Sequence, residues 1–190
     1  MNRSKSHTAL RALCEGAVML ALAQALSYLK LWELPNGGSV TIAMLPIFLY
    51  CVRWGFGPGM LVSVAFGALQ LIFDGGFAIG WQSMLGDYIV AFGVLGVAGL
   101  FWRMRGGFFW GAVVGCLARF LVHYVVGATI WASYMPDRFF GLTMTSPWFY
   151  SFLYNGSFMA IDLALVLVLG ALLRPALGKW MKPVPEAKEA

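Results

Sequence analysis

Arg119 and His123 lie four residues apart in ARFLVHYVVGATIW, so on a helix they share one face. Gly127 and Trp131 continue the same stripe with a slow drift. Along the helix the stripe reads guanidinium, imidazole, no side chain, indole. A glycine beside a tryptophan leaves room for a flat ring to lie against the indole. A second group, Asp87-Tyr88 in MLGDYIVAF, places an anion beside a phenol. A carboxylate among aromatic rings is a receptor for an organic cation, because the ring faces attract the charge and the carboxylate neutralises it. A third group lies in WFYSFLYNGSFM. Tyr150 and Asn155 are five apart there, about 140° around a regular helix. They can share a ligand only across a pocket or through a distorted first turn. The Asn155 amide donates and accepts at once, which suits the edge of a heteroaromatic ring.

Each of these residues also has a plain structural reading. Arg119 can pair with Asp87 or Asp162 as buried glue, His123 can bond a carbonyl, Gly127 can let helices approach, and Asn155 can bond a neighbouring helix. Ala17 and Ala21 form a small-xxx-small face on the first helix, a common packing pattern. Cys14, Cys51 and Cys116 lie far apart in apolar runs with no metal spacing, and read as packing.

These groups sit in a chain built for lipid. It has 190 residues, 61% hydrophobic and 11% charged, with a mean hydropathy of +0.78. A soluble domain carries about a quarter charged residues, and one of this size could not hide so much apolar surface from water. Each crossing helix needs about 20 mostly apolar residues. The pattern predicts an all-α bundle of six transmembrane helices forming one domain over residues 1–190. Spans are expected at about 9–31, 40–53, 57–73, 83–103, 107–132 and 149–173. The second is short, and part of the preceding PNGGSVT is expected to sit at membrane depth inside the protein. The basic start followed by an apolar run without a clean cleavage site reads as a retained first helix. Ionisable groups in such spans are costly and therefore functional candidates.

The basic residues give the orientation. Arg3, Lys5, Arg11, Arg53, Arg103, Arg105, Arg174, Lys179, Lys182 and Lys188 all fall on one side of a six-span model. The positive-inside rule makes that side, and both termini, cytoplasmic. The formal charge of +5 then belongs to loops and tails, and implies no nucleic-acid partner. The loops at about 32–39, 74–82 and 133–148 face outside. They hold Trp32, Asn36, Asp74, Phe77, Trp81, Tyr134 and Trp148, a richer set than an aromatic belt needs.

Four segments carry a resemblance: PNGGSVTIAMLPI after helix 1, LGDYIVAFGVLGVAGLF in helix 4, RFLVHYVVGATIW in helix 5 and YSFLYNG in helix 6. In this order, with six spans, the chain over about residues 10–175 resembles the thiamine-specific S components of energy-coupling factor transporters, the ThiT family. The resemblance implies a six-helix fold in the cell membrane that binds thiamine near the outer surface. A transmembrane coupling subunit and two ATPase subunits would supply energy. It implies that Asp87 engages the cationic vitamin and that Tyr88 lies beside it. His123 and Trp131 would stack on the rings, and Arg119, Gly127, Tyr150 and Asn155 would line the site. Ala17 and Ala21 match the motif through which S components dock on the coupling subunit. Phe77 stands where the resemblance implies a tyrosine, and Trp32 is the candidate for a tryptophan of the first outer loop.

The expected function is therefore binding, with no catalysis and no cofactor. The outer loops, PNGGSVT among them, are expected to close over thiamine. The sequence has no GxxxxGK[ST] loop, so ATP hydrolysis must come from partners. Rival readings are an S component for another vitamin or a thiamine precursor, a small membrane enzyme using His123 and Asp87 for acid–base chemistry, and a structural or channel-forming subunit.

Overall fold

The computed structural model describes residues 3–73 and 78–184, with the side chains of the first helix described from Ser6 onward. The first helix, α1 (Arg3–Ser27), ends four residues before the expected Leu31. A two-residue hairpin follows, β1 (Trp32–Glu33) against β2 (Ser39–Val40), with Trp32 opposite Val40. Its tip is the Pro35-Asn36-Gly37 turn. Asn36 at φ 66° and Gly37 at φ 91° take left-handed backbone there, which the short Asn side chain and glycine tolerate. Next come α2 (Met44–Trp54), α3 (Phe56–Phe73) and α4 (Trp81–Phe101). The rest is α5 (Gly107–Thr129), the hairpin of β3 (Arg138–Phe139) and β4 (Leu142–Thr143), α6 (Pro147–Leu172) and the short α7 (Arg174–Leu177).

Five helices among the described residues are long and apolar enough to cross a membrane: residues Ser6–Ser27 of α1, then α3, α4, α5 and α6. The expected second span falls short of that length. α2 has 11 residues, or about 16 Å of helix, against the roughly 30 Å of a hydrocarbon core. The reason is visible in its burial. Every residue from Met44 to Arg53 is buried, and α2 packs against α1, α3, α4, α5 and α6. A helix walled by other helices satisfies its flanking irregular backbone inside the protein, which membrane depth permits. The segment before α2 is tied down in this way, since the buried Asp162 carboxylate of α6 accepts the Thr41 N–H at 2.8 Å.

Glycines set how closely the rods approach. A Cβ on Gly96 of α4 would stand 2.6 Å from the Met60 Cα of α3, so only glycine permits that crossing. Around Asp87 the helix widens into a π-helical stretch, Met84–Val90, a local unwinding often found at functional sites. The start of α6 is fixed by Ser146, whose hydroxyl accepts the Phe149 N–H at 3.2 Å, with Pro147 in the first turn.

At the opposite end of the bundle from Asp87, Glu15 ties α1 to α2. Its carboxylate accepts from Arg53 Nε at 2.6 Å, Trp54 Nε1 at 2.8 Å and Arg11 Nε at 2.8 Å. The Arg53 Nη1 reaches the Lys179 carbonyl at 2.8 Å, and its guanidinium lies 4.6 Å from the Trp180 ring centre. Replacing Glu15 with glutamine leaves a nearly buried guanidinium without its counter-charge. It is expected to cost about 1–2 kcal/mol, read as a lower melting temperature in detergent; an unchanged melting curve contradicts a structural role.

Of the cysteines, Cys51 and Cys116 are buried, whereas Cys14 is exposed on α1. Ala17 and Ala21 are exposed as well. The buried face of α1 is instead Gly16, Met19, Ala23 and Ser27, so the small-residue pair does no packing inside the described chain.

Candidate functional site

A cavity of about 1050 Å³, its open mouth included, lies between the first hairpin and helices α3 to α6. Its walls include Asp87, Tyr88, Arg119, His123, Gly127, Trp131, Tyr150 and Asn155. All eight positions singled out in the sequence thus face one hollow, contributed by α4, α5 with the turn that follows it, and α6.

The polar centre is a chain of side chains. Asp87 Oδ1 lies 2.9 Å from His123 Nδ1, and Asp87 Oδ2 accepts from Trp131 Nε1 at 2.8 Å. On the far side of the imidazole, His123 Nε2 accepts from Arg119 Nε at 3.3 Å. An accepting Nε2 assigns the proton to Nδ1, so a neutral His123 donates to Asp87. Arg119 makes no ion pair with either carboxylate among the described residues. It lies deepest, 9% exposed, with its guanidinium 4.1 Å from the Phe92 ring centre and its Nη1 3.2 Å from Met44 Sδ. It reaches Asp87 only through His123. Among the described residues, neither the direct Arg119–Asp pairing nor a His123–carbonyl bond of the plain structural reading occurs. Each Asp87 carboxylate oxygen thus holds one neighbour and keeps further acceptor capacity at the cavity wall.

Two expectations about the α5 stripe are corrected. Trp131 is not on the helix, which ends at Thr129. Its N–H still reaches back to the Val126 carbonyl at 3.3 Å, and the turn swings the indole toward Asp87. Gly127 does not leave an open slot for a ring. A Cβ there would collide with Ser151 Oγ and stand 3.0 Å from Asn155 Nδ2, so the missing side chain serves close packing of α5 on α6. That contact is polar. Ser151 Oγ donates to the Tyr124 carbonyl at 2.8 Å, and Asn155 Nδ2 donates to the His123 carbonyl at 3.2 Å. The interhelical reading of Asn155 therefore holds for its NH2 group. Its carbonyl oxygen has no hydrogen-bond partner among the described residues. Tyr150 and Asn155 both line the hollow from the same helix, α6.

Other wall residues were not singled out. Tyr154 is the most consequential. Its hydroxyl donates to the Pro35 carbonyl and accepts the Gly38 N–H at 2.9 Å, which pins the tip of the first hairpin over the cavity. The four-residue step from Tyr150 could have flagged it. Gln70 was legible by the same rule as Asn155, an amide in an apolar helix. It donates to Gln24 Oε1 at 2.8 Å and Ser27 Oγ at 3.1 Å, closing the α1–α3 side. Aromatic contacts join the second hairpin to this rim: Phe139 meets Tyr150 edge-on with ring centres 5.4 Å apart, and Phe140 stacks on Trp32 at 6.2 Å. Asp74 and Phe77 lie outside the described residues.

Replacing Tyr154 with phenylalanine removes both bonds to the hairpin tip. Amide exchange across residues 35–40 is then expected to quicken about tenfold, for a loss of about 1.4 kcal/mol. Unchanged exchange means that the tip is held by something else.

A bundle of long apolar helices around a hollow with a half-buried carboxylate and an aromatic rim defines a polytopic membrane protein that captures a small organic molecule. Comparison with known proteins makes the class specific. Residues 13–181 match the model of the thiamine transporter protein family (Thia_YuaJ). The chain is 34% identical over 197 residues to the thiamine transporter ThiT of Bacillus subtilis, covering 94% of this chain and 98% of that one. It is 27% identical to the ThiT of Lacticaseibacillus paracasei, over 90% of this chain and 91% of the relative. A solved structure of ThiT from Listeria monocytogenes superposes with a TM-score of 0.81 at 21% identity, covering 93% of this chain and all of that one. The chain belongs to the thiamine transporter family, and is a multi-pass membrane transport protein, not an enzyme. The acid–base reading of His123 and Asp87 is thereby set aside.

Proposed function

We propose that this protein is the substrate-binding subunit of an energy-coupling factor importer and takes thiamine from the extracellular side. The observation that carries the reading is the Asp87 carboxylate, bracketed by His123 and Trp131 at 2.9 and 2.8 Å, in the wall of a hollow rimmed by rings. Thiamine combines a fixed positive charge with two flat heterocycles. Asp87 meets the charge, the Trp131 and His123 faces take the rings, and Tyr150 and the Asn155 carbonyl bond the polar edges, with Tyr88, Arg119 and Gly127 completing the wall. The first hairpin, pinned by Tyr154 and Asp162, is the cover.

The same proposal orients the chain. α2 together with the buried segment before it completes a sixth crossing, which puts both termini on one side. The clustering of basic residues there makes that side cytoplasmic. The whole chain then works as one unit. Its exposed Ala17–Ala21 face on α1 docks the transmembrane coupling subunit, and two ATPase subunits supply the energy.

The test is a titration of purified protein with thiamine, followed by tryptophan fluorescence. Quenching at submicromolar thiamine is expected because Trp131 lies in the site. Whole thiamine should compete better than its pyrimidine or thiazole half alone. Absence of quenching removes the thiamine assignment, and preference for one half points to a precursor transporter instead.

A further inference from the structure

Where α3 meets α1, the wall of the hollow carries Gln70 and Ser27, and neither the cation nor the ring platform accounts for them. Gln70 is 6% exposed, and an amide in an apolar helix is costly unless its polar atoms are used. Counting protons fixes its orientation. The Ser27 hydroxyl spends its one proton on the Gln24 carbonyl at 2.7 Å, so toward Gln70 it can only accept. The Gln70 atom 3.1 Å from Ser27 Oγ is therefore the NH2 nitrogen, whose other proton goes to Gln24 Oε1 at 2.8 Å. Both protons are then committed, and Gln70 Oε1 has no hydrogen-bond partner among the described residues. No side-chain oxygen sealed from solvent lacks a partner among those residues, so this carbonyl opens on the hollow that Gln70 lines. It can only accept, and its ligand must bring an O–H or N–H.

Contacts along the wall say which donor it meets. Asn155 of α6 bonds the His123 carbonyl of α5 at 3.2 Å. His123 meets Asp87 of α4 at 2.9 Å. Beside Asp87, the Tyr88 carbonyl lies so close to Gly67 of α3 that a Cβ there would stand 2.5 Å from it. Gln70 is one turn beyond Gly67 and holds Ser27 of α1. The order around the wall is thus Asn155, Asp87, Gln70. Along thiamine the order is a pyrimidine edge, a charged thiazolium ring and a hydroxyethyl tail. With Asn155 on the pyrimidine and Asp87 on the charge, the tail falls to Gln70. We propose that Gln70 is a specificity-determining residue of the hollow, whose amide carbonyl accepts a hydrogen bond from the primary alcohol of the ligand. Gln24 and Ser27 are its positioning residues, because by holding both N–H protons they leave the oxygen to the hollow. The proposal rests on the thiamine reading above and deepens it. A carboxylate and a ring platform take any flat organic cation of the right size, whereas an acceptor at this end selects one that ends in an alcohol.

Isothermal titration calorimetry of the full-length protein in detergent tests it with two ligands, thiamine and its analogue carrying ethyl in place of hydroxyethyl. The wild type is expected to bind the ethyl analogue about tenfold more weakly than thiamine, because the analogue leaves the Gln70 carbonyl without a donor. Gln70→Leu is expected to bind thiamine about tenfold more weakly than the wild type does and to bind the two ligands alike. Gln70→Glu keeps an acceptor at the same place and is expected to retain the preference for thiamine. A merely structural Gln70 lowers affinity for both ligands together and leaves their ratio intact. A preference that survives in Gln70→Leu therefore places the alcohol on another wall residue, such as Lys30, and overturns the proposal; so does a preference lost in Gln70→Glu. Should Gln70→Leu fail to fold, the wild-type ratio and Gln70→Glu still decide. If the wild type binds thiamine and the ethyl analogue equally, the thiamine reading stands and this proposal falls. If the wild type binds neither, the thiamine reading fails and takes this proposal with it.

Discussion

Asp87→Asn is expected to weaken thiamine binding by about two orders of magnitude in isothermal titration calorimetry. The substitution keeps the size and one acceptor of the side chain and removes only the charge. Truncating one member of a desolvated charge pair costs about 3 kcal/mol, and 1.4 kcal/mol is tenfold in affinity. Asparagine also presents an NH2 where His123 or Trp131 donates, so one of the two bonds at 2.9 and 2.8 Å is lost. Asp162→Asn is the informative partner. Asp162 is 1% exposed, and its Oδ1 accepts the Thr41 N–H below the hairpin. Its loss should lower the melting temperature while leaving affinity within a few fold. Equal losses of affinity at the two positions contradict the assignment of Asp87 as the cation partner.

Trp131→Ala is expected to weaken thiamine binding about a hundredfold, and Trp131→Phe about tenfold. The indole does two things at once. Its face offers a stacking surface and a cation–π contribution of about 1–2 kcal/mol. Its N–H orients Asp87, and a hydrogen bond to a charged group contributes about 1.5 kcal/mol more. Phenylalanine keeps the first and forfeits the second, so the ratio between the variants measures the ring face, and the loss in the phenylalanine variant measures the orienting bond. If phenylalanine and alanine behave alike, the face of the ring contributes nothing. Trp131 then acts only through Asp87.

How much of this was legible in the sequence follows from what each residue answers to. Hydropathy answers to the bilayer, a solvent with one strong demand, so the long helices α1, α3, α4, α5 and α6 could be read within a few residues at most ends. α2 could not, because its 11 residues are shielded by other helices and owe their burial to packing that no window of sequence contains. That Asp87, His123 and Trp131 gather at one hollow was also legible. Ionisable and aromatic groups at these positions are too costly in lipid to be idle, and a four-residue step fixes a shared face.

What the sequence could not determine is which partner each group takes. Arg119 had two carboxylates within reach on paper, and only the folded bundle turns it onto Phe92 and His123. Gly127 read as room for a ligand, and the arrival of Ser151 and Asn155 from another helix made it a packing contact. Tyr154 is one tyrosine among seven in the chain until the hairpin folds over it. The sequence by itself determined the solvent, the long helices and the kind of chemistry, because these depend on one segment at a time. The tertiary structure alone decided the hollow and its hydrogen-bond pairings, because a contact between distant segments has no free energy until both are in place.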